Sequence, residues 1–435
     1  MSTEPGHSSN PSTNTAAATA TAAAQHTSIP TGHEGSVRDQ FDAYLQRVRG
    51  GEMGMLPALA ALVIITLVFW IATPFFITKL NIANLLTQTG ALMMLAMALT
   101  FVILLAEIDL SAGVTGGLSM AIFILLTNKS SLPWVVALLV ALVCAASIGL
   151  FIGFFVAKVG IPSFVITLGL FLGLQGLNLV LLGNAGAYRI QTPAIVAIMN
   201  KSMPVWAGWL MLLIMVGLSL GTGMYDRARR AAAGMAVRPM SLLWARVGAL
   251  AIGGGLIVWL LSLNRSTSSV EIKGVPIVVP LALTVMWVGT MMLDRTRFGL
   301  HLYAVGGNPE AARRAGINVA RIRIAAFMIC SSLACLSGLF SASQTGTVES
   351  SAGRDIVLSG VAAAVVGGVS LFGGRGRLVQ AAIGALLISM ITNGLGLLGQ
   401  SAGITLLVTG GVLILAATVD ALSRRRSGST SLARG

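Results

Sequence analysis

Apolar runs of about twenty residues recur along the chain, separated by short polar connections. An α-helix rises about 1.5 Å per residue, so about twenty apolar residues cross the roughly 30 Å hydrocarbon core of a bilayer. Such runs fall at 56–77, 85–106, 111–127, 134–157, 162–182, 204–224, 247–263, 276–293, 324–343, 356–372, 378–399 and 404–421. The pattern predicts an all-α, polytopic integral membrane protein with about 10–12 transmembrane helices. Length alone leaves open whether 111–127, 356–372 and 378–399 are full spans or half-helices. The connections at 128–132, 183–203, 264–275 and 344–354 are polar and too short for a folded soluble domain.

Composition agrees with this pattern. Of 435 residues, 55% are hydrophobic and 10% charged, against about 25% charged in soluble domains. Residues 1–50 are rich in Ser, Thr, Ala, Gly and Pro, which cannot bury a core, and predict a disordered cytoplasmic tail. No basic stretch leads directly into an apolar run near the terminus, so the first span is expected to act as an uncleaved insertion signal.

The net charge of +14 is spread along the loops that flank the spans, which argues against a nucleic-acid surface. Positive residues in short loops mark the cytoplasmic side. With the N-terminus inside, that side receives Arg227, Arg229, Arg230, Arg238 and Arg246, then Arg295, Arg297, Arg313, Arg314, Arg321 and Arg323. Arg375, Arg377 and Arg424, Arg425 and Arg426 follow. The expected layout is a transmembrane domain at 51–423 with a cytoplasmic loop at 294–323. A basic cytoplasmic tail at 424–435 follows, and both termini are expected in the cytoplasm.

Glycine is abundant, with 51 residues, and lets helix backbones approach closely in lipid. Gly149 with Gly153 and Gly169 with Gly173 are two small-xxx-small pairs expected to pack helices. The match of 145–149 to 380–384 hints weakly at an internal repeat. Cys144, Cys330 and Cys335 lie inside apolar runs. His7, His26 and His33 fall in the tail, and His301 in a loop, so no metal site is expected. There is no GxxxxGK loop followed by Ser or Thr, no HExxH and no GxSxG, so neither nucleotide binding nor enzyme chemistry is expected in this chain. The glycine-rich turn at 373–376 reads as a helix break at the membrane surface.

Polar residues at membrane depth are costly and so are candidates for a translocation path. Glu107, Asp109 and Ser111 lie at the inner end of a span or in a broken helix. They read either as path residues or as a solvated interfacial acidic pair. Gln175 and Asn178 share a helix face. They, like Thr392 and Asn393, either line a path or bond to neighbouring helices.

The segment 306–323, GGNPEAARRAGINVARIR, carries the most specific local signal. Asn308 suits an N-cap, Pro309 the first helical turn, and Glu310 the positive end of the helix dipole. Ala311, Ala312 and Ala315 favour helix, and Gly316 suits a left-handed stop. Two turns of helix are not stable alone in water, so the element needs a partner surface. Glu310-Ala311-Ala312 followed after three residues by Gly316 gives the pattern EAAxxxG.

In context this pattern is specific. The run 303–312 resembles the A-I/V-GGN-x-EAA-x-x-S/A-GI segment of sugar ABC permeases of the ribose/xylose/galactose branch. Ile108-Asp109-Leu110-Ser111 resembles the family's IDLS segment, with Glu107 in place of its usual Gly. Residues 156–162 resemble its VAK-x-x-IP turn, and 366–374 its IGG-x-S-L-x-GG segment. The matches run in order over about 55–420. The apolar, Arg-rich insertion at 224–263 looks most like the xylose-type members, whereas Arg375 and Arg377 depart from their commoner small or apolar residues.

The resemblance implies a type II-like ABC importer permease for a monosaccharide, a pentose such as xylose. Its ATPase-coupling residues would be Asn308, Pro309, Glu310, Ala311, Ala312 and Gly316. It implies no cofactor in this chain, with ATP and Mg held by a partner ATPase. It also implies an extracytoplasmic sugar-binding protein and a permease homodimer in lipid. The competing expectations are an ion-coupled secondary carrier using Glu107 and Asp109 without an ATPase, and a non-transporting scaffold.

Overall fold

The computed structural model describes residues 55–432 other than 184–185, 236, 238 and 267–268, without the side chains of 419–420 and 422–432. The expected tail at 1–50, Arg238 and the side chains of Arg424, Arg425 and Arg426 lie outside the described set.

Fifteen α-helices are described. The first five are α1 (Leu56–Ala72), α2 (Lys79–Ile103), α3 (Ala112–Asn128), α4 (Trp134–Phe154, extended by a π-turn at Phe155–Val159) and α5 (Ser163–Leu182). Strand β1 (Ala187–Arg189) and the short helix α6 (Pro193–Asn200) precede α7 (Val205–Ala232), α8 (Met240–Ser262) and α9 (Val278–Arg295). Then come α10 (Arg297–Gly307), α11 (Pro309–Arg314), α12 (Val319–Thr345), β2 (Thr347–Glu349), α13 (Ile356–Val366), α14 (Leu378–Leu397) and α15 (Ala402–Leu432). Among the described residues eight helices are long and apolar enough to cross a membrane, and four further apolar helices are shorter. The chain is therefore an all-α, polytopic membrane protein.

All twelve apolar runs are helical, with shifted ends. The run at 85–106 begins six residues earlier, at Lys79, where Thr78 accepts a cap bond from the Asn81 amide. The run at 356–372 ends at Val366, because Gly368 at φ +104° turns the chain out of the helix. At 11 residues, about 16 Å, α13 covers only half a membrane, whereas α14 at 20 residues is a full span.

The chain divides into two compact units. In the smaller, Leu213–Gly253, the end of α7 meets the start of α8 where Leu243 lies against Gly223. Arg229 stands over the Tyr225 ring at 5.9 Å.

In the larger unit α2 is the centre. Met94 to Leu99 have no exposed surface, as expected of a helix apolar on every side. Around it pack α12, α14, α13 and α9, while α12 also packs against α4 and α3. Glycine sets the closest approaches. Gly116 of α3 meets the Ala334 carbonyl, and Gly338 of α12 meets the Gly116 carbonyl. Gly149 and Gly153 seat α4 on Phe327, Met328 and Ile324 of α12, as their spacing predicts. Gly169 and Gly173 do not follow that expectation: nothing lies within 4 Å of either one's Cβ position, and α5 turns Phe164, Leu172 and Val180 outward.

Two polar connections that look independent in sequence are joined. β1 pairs antiparallel with β2, Ala187 opposite Glu349 and Arg189 opposite Thr347. Nearby the Ser343 hydroxyl donates to the Ile195 carbonyl at 2.6 Å, and Asn200 donates to the Ser343 carbonyl.

Gly338→Val drives a side chain into the Gly116 backbone and is expected to cost about 1–3 kcal/mol or to prevent folding. Thermal unfolding of the purified protein in detergent reads this. Gly173→Ala is expected to leave the midpoint unchanged or slightly raised, and equal losses from both variants would contradict the packing.

Candidate coupling helix and solute path

The loop between α9 and α12 is built from consecutive caps. Thr296 accepts from the Gly299 amide to start α10. The Asn308 side chain then accepts from the Glu310 and Ala311 amides at 3.1 and 3.0 Å, with Pro309 in the first turn of α11. Gly316 at φ +82° ends that turn, and Asn318 caps α12 by accepting from the Arg321 amide at 3.0 Å. Each end expected of the 308–316 helix is present.

Six residues of helix need an anchor, and Ala312 supplies it. It is buried in a cluster with Leu302, Val305, Val319 and Ile322. Glu310, Ala311, Arg313 and Arg314 are exposed, and Glu310 pairs with Arg313 at 3.1 Å. This exposed i,i+3 pair stabilises the turn by only about 0.2–0.5 kcal/mol. Thus α11 presents a free, charged face on an apolar footing.

From that footing a backbone contact leads inward. The Gly374 amide donates to the Leu104 carbonyl at 2.8 Å, and Gly306, at the end of α10, lies directly against both groups with no space for a Cβ. The Tyr303 hydroxyl donates to the Gly376 carbonyl at 2.7 Å. Burial, with the Asp294 carboxylate adding and Arg377 opposing, pushes that hydroxyl up to about 12. It therefore stays protonated and donating at physiological pH. The 373–376 turn is thus a clasp joining the 294–323 loop to the end of α2.

Beyond Leu104 the chain is not helical until Ala112. Ala106 takes φ +60°, an uncommon value for a residue with a side chain. Glu107 pairs with Arg323 of α12 at 3.2 Å, with both side chains mostly shielded from solvent. Ser163 accepts from the Ile108 amide, and Thr167 donates to the Ile108 carbonyl. Asp109 is buried and accepts from the Ser111 amide and hydroxyl at 2.9 and 2.6 Å, with Cys330 Sγ 3.7 Å from its other oxygen. Glu107 and Asp109 are therefore not a solvated acidic pair. Each has its own partners, and both hold the break in place.

The other expected path residues fall elsewhere. Gln175 and Asn178 both donate to the Ser350 carbonyl, at 2.8 and 3.0 Å. Asn393 exchanges amide hydrogen bonds with Asn81 at 2.9 and 3.0 Å and donates to Gln88, tying α14 to α2. Thr392 bonds within its own helix. The seven residues form three separate groups with different partners. Reasoning from sequence missed Gly306, Leu104 and Gly374, although the glycines of the GGN and GGRG runs were the available signal. Among the described residues no group of three or more His, Cys, Asp and Glu is placed to hold a metal.

Comparison with known proteins fits this geometry. Residues 81–417 match the family model described as "Branched-chain amino acid transport system / permease component". The chain belongs to this permease family. It is 32% identical over 370 residues to the xylose transport system permease protein XylH of Escherichia coli K12, covering 85% of this chain and 92% of that protein. The Haemophilus influenzae XylH is 30% identical over 85% of this chain and 96% of its own. The ribose import permease RbsC of E. coli K12 is 30% identical over 83% and 92%. The resemblance to the ribose/xylose branch is therefore borne out over most of the chain. No solved structure matches it.

A double-mutant cycle of Asn81→Ala and Asn393→Ala is expected to show a coupling of about 0.6–1.7 kcal/mol, as for hydrogen bonds between membrane helices. Unfolding in detergent measures it, and strictly additive losses would mean that the two amides do not meet.

Proposed function

We propose that this chain is the membrane subunit of an ATP-driven importer of a monosaccharide, a pentose such as xylose. The observation that carries this reading is α11, a capped six-residue helix with an exposed face and an apolar footing that leads through Gly306 to the broken end of α2. An element of this kind suits a partner that pushes on it. The partner is an ATPase subunit that binds ATP and Mg. A soluble sugar-binding protein delivers solute to the opposite end, and two copies of the chain form the path through the bacterial inner membrane. The loop at 294–323 and both termini face the cytoplasm.

The mechanical step follows from the contacts. Closure of the ATPase pair displaces α11, and Ala312 transmits the displacement to α10 and α12. Gly306 bears on Leu104 and Gly374, and Arg323 draws on Glu107, so the 104–111 break moves with the loop. Interfaces of this kind switch between discrete packings. The carboxylate of Asp109 is already satisfied by Ser111, which leaves the ion-coupled alternative without a free acidic pair.

Co-expression with the cognate ATPase, followed by reconstitution with the binding protein, tests the proposal. Glu310→Lys is expected to weaken ATPase assembly, and Gly316→Pro to abolish ATP-dependent pentose uptake. Gly306→Ala is expected to keep the ATPase bound while uptake falls about tenfold or more, a barrier change of about 1.4 kcal/mol. Uptake and assembly that survive all three changes would refute the coupling role.

A further inference from the structure

The chain also breaks on the side away from α11. With 27 residues α12 is about 40 Å long and carries the chain from the coupling loop to the opposite end. After β2 the chain returns, but α13 supplies only about 16 Å of that return. Residues 350–355 therefore lie below the outer surface, at membrane depth. Irregular backbone is tolerated there only where protein or water covers it. Protein covers part of it: Gly353 lies on Gly113, and Ala352 on Gly117, both in the helix that follows the other break. Gln175 and Asn178 hold the Ser350 carbonyl from α5.

Between these segments lies a cavity of about 120 Å³. One wall is a polar stripe of α12, Ser337, Ser341 and Thr345, spaced four residues apart, and Thr347 and Glu349 reach it from β2. Met120 and Ile356 give it an apolar side, and among the described residues no Lys or Arg lines it. Ser341, Gln344 and Thr345 are exposed although they lie on a spanning helix. Hydrocarbon is a costly neighbour for that face, so it borders water. Among the described residues the Ser341 and Thr347 hydroxyls have no hydrogen-bond partner, and the Glu349 carboxylate meets only the Ser351 hydroxyl at 3.5 Å.

We propose that this cavity is a solute-binding station of the permease, taking a neutral polyhydroxylated molecule of sugar size and excluding carboxylate-bearing solutes. Free hydroxyls and one carboxylate accept and donate as a sugar requires, and the apolar side faces its C–H groups. A carboxylate on the solute would meet Glu349 with no cation in the lining to offset it. Binding where helices are interrupted is a recurrent arrangement in secondary transporters. The inference rests on the reading of the chain as a sugar importer and adds the site and its solute class.

The test uses the complete importer in intact cells, with radiolabelled D-xylose and D-ribose as probes and L-leucine as the contrasting solute. Ser341→Cys and Thr347→Cys are each treated from outside with a membrane-impermeant methanethiosulfonate. Modification is expected to cut pentose uptake about tenfold or more, while leaving the unsubstituted chain unaffected. Excess pentose is expected to slow the modification, and leucine to leave its rate unchanged. The Thr347 variant, at a half-buried strand position, gives the same reading should the Ser341 variant fail to assemble. Uptake that persists unchanged through modification at both positions overturns the cavity's role. Protection by leucine equal to that by pentose overturns the solute class. An unsubstituted importer that takes up neither pentose overturns the sugar reading, and this inference with it.

Discussion

The hydrogen bond from the Gly374 amide to the Leu104 carbonyl, with Gly306 laid against both, is the contact on which the rest of the arrangement depends. Three stretches distant in sequence meet there through backbone atoms: the end of the central helix, the end of α10 before α11, and the glycine-rich turn. Side chains can yield by changing rotamer, but packed backbone cannot. In the proposed mechanism a displacement of α11 passes through the Ala312 side-chain cluster to α10 and from there, through this contact, to the start of the 104–111 break. The Glu107–Arg323 ion pair adds a second link from α12 to the same break.

The breaks themselves are stabilised by local polar bonds. Ser111 closes on Asp109, and Ser163 and Thr167 satisfy the Ile108 backbone. At the opposite end Gln175 and Asn178 perform the same service for Ser350. Such bonds let irregular backbone persist at membrane depth, where each unmet group costs several kcal/mol or about that order. They also explain why these residues are polar in an otherwise apolar chain.

Local rules made some of this legible in the sequence. The cap at Asn308, the proline at 309 and the left-handed Gly316 depend only on neighbouring residues, and each is found as expected. The helices were legible because membrane length and apolar composition are strong, redundant signals. Contacts between distant segments were not. The partner of Glu107 lies on a helix far along the chain, and the pairing of β1 with β2 rests on three residues each. Gly149–Gly153 and Gly169–Gly173 have the same spacing, yet one pair packs a helix and the other faces outward. Nothing within either segment distinguishes them. Asn393 alone reads either as a path residue or as a bond to a neighbouring helix, and only its juxtaposition with Asn81 reveals the mutual pair.

The central claim is that the exposed face of α11 lies in the cytoplasm and carries the ATPase. It is tested most directly by thiol accessibility of Ala311→Cys. In intact cells the thiol should resist a membrane-impermeant reagent. In inside-out vesicles it should react, and bound ATPase should shield it. Reaction in intact cells would place α11 on the outer surface and contradict the account.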